Sequence, residues 1–311
     1  MTTTRTAPAR PDQASSGGGL KRRRRRGKAW IYVGLVTATL FTSLPILFML
    51  MSSLKPETQI FSDLRSIAAF LPVGNLSLDN YAGVLERVPA ARFIANSLLV
   101  TSLIVGIGLI INSMLGFALS RMRWRGKGLI LTLVLATLMV PFEAIAVPMV
   151  FWVSHLPFLS WETDGLLLSQ GMLNSYSVQV MPFIANALAI FLFTQQFNDI
   201  PRELDEAARM DGASWFGIYR RVIVPLSGPT FATVAIITML PAWNQYLWPL
   251  MVVQDEALRP SSVGMQYFFQ LNTVWGEVMA YATMITLPVL AVFFLFQRSF
   301  VTSISASGLK G

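Results

Sequence analysis

The 311-residue chain has no cysteine and only one histidine, His155. The sequence therefore excludes disulfides, a thiol nucleophile and a thiolate metal site, and it holds no second histidine at metal-binding spacing. A phosphate-binding loop of the form G-x-x-x-x-G-K-[ST] is also missing, because Gly27-Lys28 and Gly126-Lys127 lack the upstream glycine and the following hydroxyl. We expect no catalytic residue, no metal and no cofactor in this chain. If its work is driven by ATP, then ATP and Mg must sit on a partner subunit.

Charged residues are also scarce. They make up 13% of the chain against 54% hydrophobic residues, with a mean hydropathy of +0.56, whereas soluble domains carry about 25% charged residues. A membrane span needs roughly 20 apolar residues, and buried helices of soluble proteins average about 11–12. Six runs without Lys or Arg are long enough: 29–54, 93–119, 128–154, 179–197, 229–250 and 276–297. The sequence predicts an all-α integral membrane protein with a six-span domain over residues 28–297.

The basic residues predict the orientation of the spans. Nineteen of the 24 Lys and Arg residues fall in segments 1–28, 120–127, 198–228 and 298–311. The positive-inside bias places these segments, and both termini, in the cytoplasm. The run "KRRRRRGK" abuts the first span, which indicates a topology anchor beside anionic lipid rather than a nucleic-acid site. We expect a disordered basic tail over 1–27 and a cytoplasmic C-terminal tail over 298–311.

Polar groups inside the predicted spans are candidates for a solute pathway. Glu143, between Pro141 and Pro148, costs on the order of 2.5–3.5 kcal/mol at that depth. It is open to three roles: a cavity or gate, a structural hydrogen bond within the kink, or proton coupling. Aromatic and amide side chains suited to sugars come from two other spans, and the full candidate set is Glu143, Asn186, Trp243, Asn244, Gln245 and Tyr246. The alternatives are that Asn186 bridges helices and that Trp248 belongs to the interfacial aromatic belt.

The charged loop 198–228 separates two apolar runs and predicts two short helices. Gly212 is expected to end the first helix, and Ser214 to cap a second one with an aromatic stripe. Asp205 and Arg209 have the spacing of an i,i+4 ion pair. Helices this short are marginal alone in water, so we expect either the lipid headgroup layer or a groove on a partner protein to hold them.

At this loop the chain resembles a known family. Glu206-Ala207-Ala208, then Gly212 and Val222-x-Val224-Pro225, are similar to the E-A-A-x3-G-x9-I-x-L-P loop of ABC importer permeases. The segments "LSRMRWRGK", "WNQYLWPL" and "QRSFVTSISASGLKG" resemble sugar-importer permeases, in particular the smaller permease of the maltose/maltodextrin type. The resemblance covers nearly all of residues 28–311.

The resemblance implies a type I ABC importer permease in the bacterial cytoplasmic (inner) membrane, a multi-pass protein that works with a second permease subunit, two ATP-binding subunits and an extracytoplasmic substrate-binding protein. The expected cargo is a di- or oligosaccharide, with glycerophosphate or another small polar solute as the alternative. A proton-coupled transporter using Glu143 is a further alternative. The residues implied for ATPase coupling are Glu203, Glu206, Ala207, Ala208, Arg209, Asp211, Gly212, Trp215 and Pro225. Those implied for contact with the binding protein are Gln270, Asn272 and Trp275.

Overall fold

The computed structural model describes residues 17–162, 165–270 and 272–308, with side-chain environments for 31–156, 171–270 and 272–294. The α-helices are α1 (Gly17–Ser52), α2 (Glu57–Asp63), α3 (Asp79–Arg87), α4 (Ala90–Arg121), α5 (Lys127–Ala136), α6 (Phe142–His155), α7 (Tyr176–Val180), α8 (Ala187–Asp199), α9 (Glu203–Met210), α10 (Trp215–Ile218), α11 (Val224–Leu226), α12 (Gly228–Trp243), α13 (Leu247–Val252), α14 (Ser261–Gly264) and α15 (Trp275–Gly308). Short 3-10 turns and one π-helical turn, Tyr219–Ile223, connect several of them.

The expectation of an all-α fold is corrected by one hairpin. Strands β1 (Pro157–Glu162) and β2 (Gly165–Gln170) pair antiparallel, with Pro157 opposite Gln170. The hairpin lies between two predicted spans, where the sequence holds the β-favouring residues Phe158 and Trp161 but no helical run. The rest of the ordered structure is helical.

Three helices are long and apolar enough to cross a membrane by themselves: Ile31–Ser52, Ala90–Arg121 and Trp275–Phe294. Three further candidates are pairs of helices that bend at a short break, by 104°, 45° and 82°. The pairs are Lys127–Met139 with Phe142–His155, Tyr176–Phe183 with Ala187–Asp199, and Trp215–Leu226 with Gly228–Trp243. Within the described residues, length and composition thus allow up to six spans.

The predicted N-terminal tail differs from expectation in its described part. Helix α1 begins at Gly17, so the described part of the predicted 1–27 tail is helical, and residues 1–16 lie outside the described residues. Lys and Arg are good helix formers, so the adjoining apolar helix extends through the basic run at little cost. Helix α15 likewise continues to Gly308 through most of the predicted 298–311 tail, and residues 309–311 lie outside the described part.

The predicted fifth span, 229–250, is not one continuous helix. Helix α12 ends at Trp243 and α13 begins at Leu247, which leaves residues 244–246 irregular. Pro249 has no N–H to donate to the carbonyl four residues earlier, that of Gln245. The hydroxyl of Ser262 donates to this carbonyl instead, at 2.6 Å. The side chain of Ser262, in α14, therefore supplies the hydrogen bond that this carbonyl lacks within the helix.

Close packing of α4 on α8 forms the centre of the bundle. Phe193 and Phe197 of α8 are fully buried and contact Phe117 of α4 within one apolar cluster. Gly116 makes this approach possible, because a Cβ at that position would lie 2.6 Å from the Cβ of Phe193. Small residues at such crossings let two backbones approach closely, as in many membrane helix pairs.

Gly116→Val should separate α4 from α8 and lower the stability of the chain by about 1–3 kcal/mol, the usual cost of overpacking. The matched control is Gly106→Val in the same helix, because a Cβ there would meet nothing within 4 Å. The thermal unfolding midpoint of the purified chain in detergent checks the prediction. Equal midpoints for the two variants would show that the α4–α8 contact does not set stability.

Candidate functional site

A polar cavity lies where three interruptions of helical structure meet: the turn before α6, the turn before α8 and the gap between α12 and α13. Its volume is about 680 Å³. One wall comes from the turn before α6, a second from the start of α8, and a third from irregular residues 244–246. Irregular backbone at membrane depth is tolerated only where protein buries it or where it lines a cavity. The shared position of the three breaks makes this cavity the candidate solute pathway.

Five of the six residues predicted for the solute pathway line this one cavity. They are Glu143, Asn186, Asn244, Gln245 and Tyr246. Sequence reasoning did not list Thr137 and Thr238, which also line it and supply hydroxyl groups. The cavity therefore combines amides, hydroxyls, one carboxylate and an aromatic ring, which are the groups that recognise polyhydroxy compounds.

Trp243, the sixth predicted residue, does not lie in this cavity. Its side chain is 5% exposed and lines a separate apolar cavity of about 300 Å³ with Leu98, Ala235 and Met239. Consecutive positions on a helix point about 100° apart, and Trp243, at the end of α12, faces a different cavity from Asn244. The prediction treated 243–246 as a single cluster and missed this divergence.

Trp248 is fully buried, which corrects the alternative of an interfacial belt residue. Its indole N–H donates to the carbonyl of Val178 at 2.8 Å. The ring meets Phe142 and Phe183 edge-on, with centroids 5.9 and 6.2 Å away. These contacts join α13, α6 and the α7 segment at the cavity wall, which all three rings help to line.

Glu143 lies in the first turn of α6 and is exposed. Among the described residues its carboxylate has no hydrogen bond or ion pair, so the structural hydrogen bond considered for the kink is not observed. A carboxylate in a first turn complements the positive end of the helix dipole. The position is consistent with a cavity role.

Asn186 caps α8 rather than bridging helices through its own side chain. Its Oδ1 accepts from the amide of Ala189 at 3.0 Å. The bridge is made by Asn112 of α4, which donates to the carbonyl of Ile184 at 3.0 Å and accepts from the amide of Asn186 at 2.9 Å. An asparagine within the apolar run 93–119 was the available signal, and it was missed.

The charged loop folds as two short helices at the Arg121 end of α4, as predicted. Gly212 has φ +81° and ends α9, and Ser214 caps α10 by accepting from the amide of Gly217. The amides of Asp211 and Ala213 donate to the carbonyls of Ala207 and Ala208. These bonds satisfy carbonyls that the end of α9 leaves free. Pro225 lies within α11, just before α12.

The predicted Asp205–Arg209 ion pair does not form. Asp205 instead lies 3.2 Å from the Nη1 of Arg121, at the end of α4, and both residues are buried. Nη2 of Arg121 donates to the carbonyl of Ile200 at 2.7 Å. Arg209 stacks over the ring of Trp215 at 5.1 Å. Tertiary burial of a full ion pair outweighs an exposed i,i+4 pair, which contributes only about 0.3–0.5 kcal/mol.

Part of the aromatic stripe of the second helix packs on the same chain. The hydroxyls of Tyr219 and Ser113 are 2.7 Å apart, and the Tyr219 ring meets Phe117 edge-on at 5.4 Å. Ile218 and Ile223 are fully buried in the same cluster. The loop is therefore fixed to the core formed by α4 and α8.

The outer face of this loop remains apolar and uncovered. Met210 is 89% exposed and Phe216 is 60% exposed, and Leu204 and Ala207 are also exposed. Among the coupling candidates, Glu203, Glu206, Arg209, Asp211, Gly212 and Trp215 are exposed as well, whereas Ala208 is half-buried. An exposed apolar patch that is surrounded by charged residues is typical of a docking surface.

The candidate contacts for a binding protein lie at the Ala90 end of α4. Gln270, Asn272 and Trp275 are exposed, while the preceding Phe268 is fully buried. The guanidinium of Arg87 donates to the carbonyl of Asn272 at 2.6 Å and pairs with Glu277 at 2.9 Å. Leu271 lies outside the described residues. Among the described residues of 265–277, the exposed ones are Phe269, Gln270, Asn272 and Trp275.

No group of three or more His, Asp or Glu side chains close enough to hold a metal ion occurs in the described part of the chain.

Comparison with known proteins also indicates a membrane transport protein. The family model described as "Binding-protein-dependent transport system inner membrane component" matches residues 89–306. The arabinooligosaccharides transport system permease protein AraQ of Bacillus subtilis is 30% identical over 86% of this chain and 90% of its own length. The sn-glycerol-3-phosphate transport system permease protein UgpE of Brucella suis is 31% identical over 86% and 92%. The AraQ protein of Halalkalibacterium halodurans is 28% identical over 91% and 97%.

Solved structures agree on the fold. The crystal structure of a bacterial ABC transporter involved in the import of the acidic polysaccharide alginate has a chain that superposes with a TM-score of 0.74. That chain is 22% identical, and the match covers 89% of this chain and 97% of the other. A chain from the alginate transporter in complex with an alginate pentasaccharide-bound periplasmic protein gives a TM-score of 0.57 at 14% identity, over 89% and 94%.

The buried pair predicts a pH dependence of stability. Burial raises the pKa of the Asp205 carboxyl above its ordinary value of 3.8, and the Arg121 guanidinium acts against this rise. Because the folded state binds this proton more tightly than the unfolded state, the stabilising contribution is complete below pH 3.8. It is lost as the pH rises through the folded pKa.

Arg121→Met should steepen this loss, since the carboxylate then remains buried without a counter-charge. Thermal unfolding midpoints of the purified chain at a series of pH values from about 4 to 7 measure it. The control is Arg121→Met with Asp205→Asn, which should flatten the curve. Parallel curves for the wild type and both variants would contradict the assignment.

Proposed function

The chain belongs to the binding-protein-dependent transport system inner membrane component family, and we propose that it is one of two permease subunits of an ATP-driven sugar importer. The observation that carries the proposal is the polar cavity at the three helix breaks, which five predicted pathway residues line. A membrane protein tolerates such breaks at a solute site, where discontinuous helices bind the cargo. The cargo class is a di- or oligosaccharide.

The proposed topology has six spans with both termini in the cytoplasm. Two of the bent helix pairs count as one span each in this arrangement; of the third pair, Gly228–Trp243 lies in the fifth span and Trp215–Leu226 belongs to the charged loop. The excess of Lys and Arg in four segments supports the orientation. It places the charged loop at the Arg121 end of α4 in the cytoplasm, and the Gln270–Trp275 segment outside.

The charged loop is proposed to dock on one of two separate ATP-hydrolysing subunits, which hold ATP and Mg. Exposed Met210, Phe216 and Leu204 give it an apolar contact surface. Its fixation to α4 through Tyr219 and Arg121 allows it to move with the spans as one body. ATP binding can shift the spans between inward-open and outward-open states only if it favours the closed ATPase pair. This chain itself is proposed to be non-catalytic.

The binding protein is proposed to dock outside, against Gln270, Asn272 and Trp275. The hydrogen bond from the amide of Trp275 to Glu57, at 3.3 Å, joins this segment to α2. The Arg87 contacts hold the same segment against α3. A docking partner would therefore press on the bundle rather than on a free loop.

A neutral cargo fits the cavity better than an anion. No Lys or Arg is among the residues that line it, and Glu143 contributes a carboxylate. The first turn of α6 already carries the negative charge of Glu143, and the side chain of Asn186 caps α8, so neither helix N-terminus at the cavity favours an anionic cargo. Glycerophosphate remains the second candidate, because one relative is named for that cargo. Its phosphate would require cations from the companion permease.

The docking proposal is tested by Glu206→Ala combined with Gly212→Pro. Proline cannot adopt the φ of +81° found at Gly212, so the end of α9 should be lost. We expect ATP-driven sugar uptake by the reconstituted complex to fall at least about tenfold, with normal membrane insertion. Glu86→Ala, a carboxylate at the other end of the bundle, is the control and should transport normally. Near-wild-type uptake by the double variant would refute the docking role.

The cavity proposal is tested by Gln245→Ala. Loss of one hydrogen bond to a sugar hydroxyl should raise the KM for uptake by roughly tenfold with a smaller change in kcat. Trp243→Phe is the control, since Trp243 lies outside the cavity. Equal effects of the two substitutions on KM would contradict the assignment. Uptake that persists when the partner ATPase is inactive but requires Glu143 would instead indicate proton coupling.

A further inference from the structure

A second cavity, of about 610 Å³, lies beside the charged loop. We name it the basic pocket, because four arginines and two tryptophans line it: Arg121, Arg123, Arg202, Arg209, Trp124 and Trp215. Asp205 and Glu206 also line it, so its side chains carry four positive charges and two negative ones. The apposition of α9 with the end of α4 creates the pocket.

The positive charges of the basic pocket are only partly neutralised. The carboxylate of Asp205 is held by Arg121 at 3.2 Å, and Arg209 stacks on Trp215. The guanidinium groups of Arg123 and Arg202 are exposed and make no hydrogen bond or ion pair within the described residues, although the charge of Arg202 acts on Asp205. The Nε of Arg121 is buried with no acceptor. A buried N–H of a charged group without a partner is costly, which indicates that an acceptor belongs in this pocket.

The pocket lies at the end of a membrane span. Helix α4 ends at Arg121, and the next three residues all line the pocket. Trp124 and Trp215 are 38% and 39% exposed, and the indole N–H of Trp124 donates to the carbonyl of Ala118, at 3.2 Å. Tryptophan and arginine at the end of a span are the residues that occupy the lipid headgroup layer.

We propose that the basic pocket binds the phosphate headgroup of an anionic phospholipid of the cytoplasmic leaflet. The inference depends on the cytoplasmic orientation proposed above. Phosphate oxygens accept forked hydrogen bonds from guanidinium groups, and basic pockets at the cytoplasmic ends of spans are suited to anionic headgroups. Arg123 comes from the loop after α4 and Arg202 from the start of α9, so the headgroup joins the span to the loop.

This lipid would have a structural consequence for coupling. Apart from the buried Arg121–Asp205 pair at the end of α4, no ion pair or side-chain hydrogen bond among the described residues joins α9 to residues 122–124. Arg123 and Arg202 line the same pocket, and an anion bound there would be attracted to both cations. The headgroup thus stabilises the position of α9 that the docking surface requires.

The test uses the complete transporter in nanodiscs of phosphatidylcholine, with or without phosphatidylglycerol. Native mass spectrometry counts the phosphatidylglycerol that stays bound. Arg123→Gln with Arg202→Gln should retain about tenfold less than the wild type, because two charge-assisted contacts are lost. The matched control is Arg125→Gln with Arg220→Gln, which removes the same charge from exposed residues outside the pocket. The control should retain as much lipid as the wild type.

Three results would overturn the proposal. Equal retention by the two double variants would show that general surface charge holds the lipid. Stabilisation of the wild type by inorganic phosphate in phosphatidylcholine nanodiscs, without retained phosphatidylglycerol, would indicate a soluble ligand. Loss of the ATPase subunits from the pocket variant with its lipid retained would identify a protein-docking surface. Sugar-stimulated ATP hydrolysis in the same nanodiscs reports on the proposed importer function separately, so a failure there leaves the lipid count informative.

Discussion

The burial of the Arg121–Asp205 pair fixes how the loop and the membrane bundle act together. Arg121 ends α4 and Asp205 lies in α9, so one buried contact joins a span to a helix outside it. Removal of one member of a buried pair is far more costly than removal of both. Separation of the loop from the bundle would therefore leave Arg121 and Asp205 without their counter-charges. The buried pair thus stabilises two short helices that would be marginal alone in water.

The second constraint is the need to satisfy backbone polar groups within the bilayer. At two of the three helix breaks, side chains from other segments supply partners for carbonyls or amides that the helices leave free. Ser262 serves the carbonyl of Gln245, and Asn112 serves both Ile184 and Asn186. These local repairs allow the three breaks to share one polar cavity.

Much of the fold was readable from the sequence because apolar length and basic residues report directly on membrane spans. The loop was also predictable in detail, since Gly212 and Ser214 act through local backbone geometry. The partners of long side chains were not. The i,i+4 rule paired Asp205 with Arg209, whereas tertiary packing placed a distant Arg121 beside it. Pro141 and Pro148 did predict a kink beside Glu143, but the gap at 244–246 was missed, because hydropathy does not distinguish 229–250 as one helix from two.

The residues of the candidate cavity could likewise be predicted only as far as residue type identifies them. Residue type alone selected Glu143, Asn186 and Gln245, which the fold brings together. It also selected Trp243, whose orientation depends on where α12 ends. The contribution of Asn112 was hidden because an amide in an apolar run has no sequence signal for its partner.

The central claim is that the charged loop docks on the partner ATPase, and disulfide crosslinking from the exposed apolar patch of this loop tests it most directly. The chain has no cysteine, so Met210→Cys introduces a single thiol at an 89% exposed position. In intact membranes this thiol should crosslink to a cysteine placed in the ATPase surface groove, and it should resist labelling by membrane-impermeant reagents added outside. Labelling from outside, or an absence of any crosslink to the ATPase, would contradict the account.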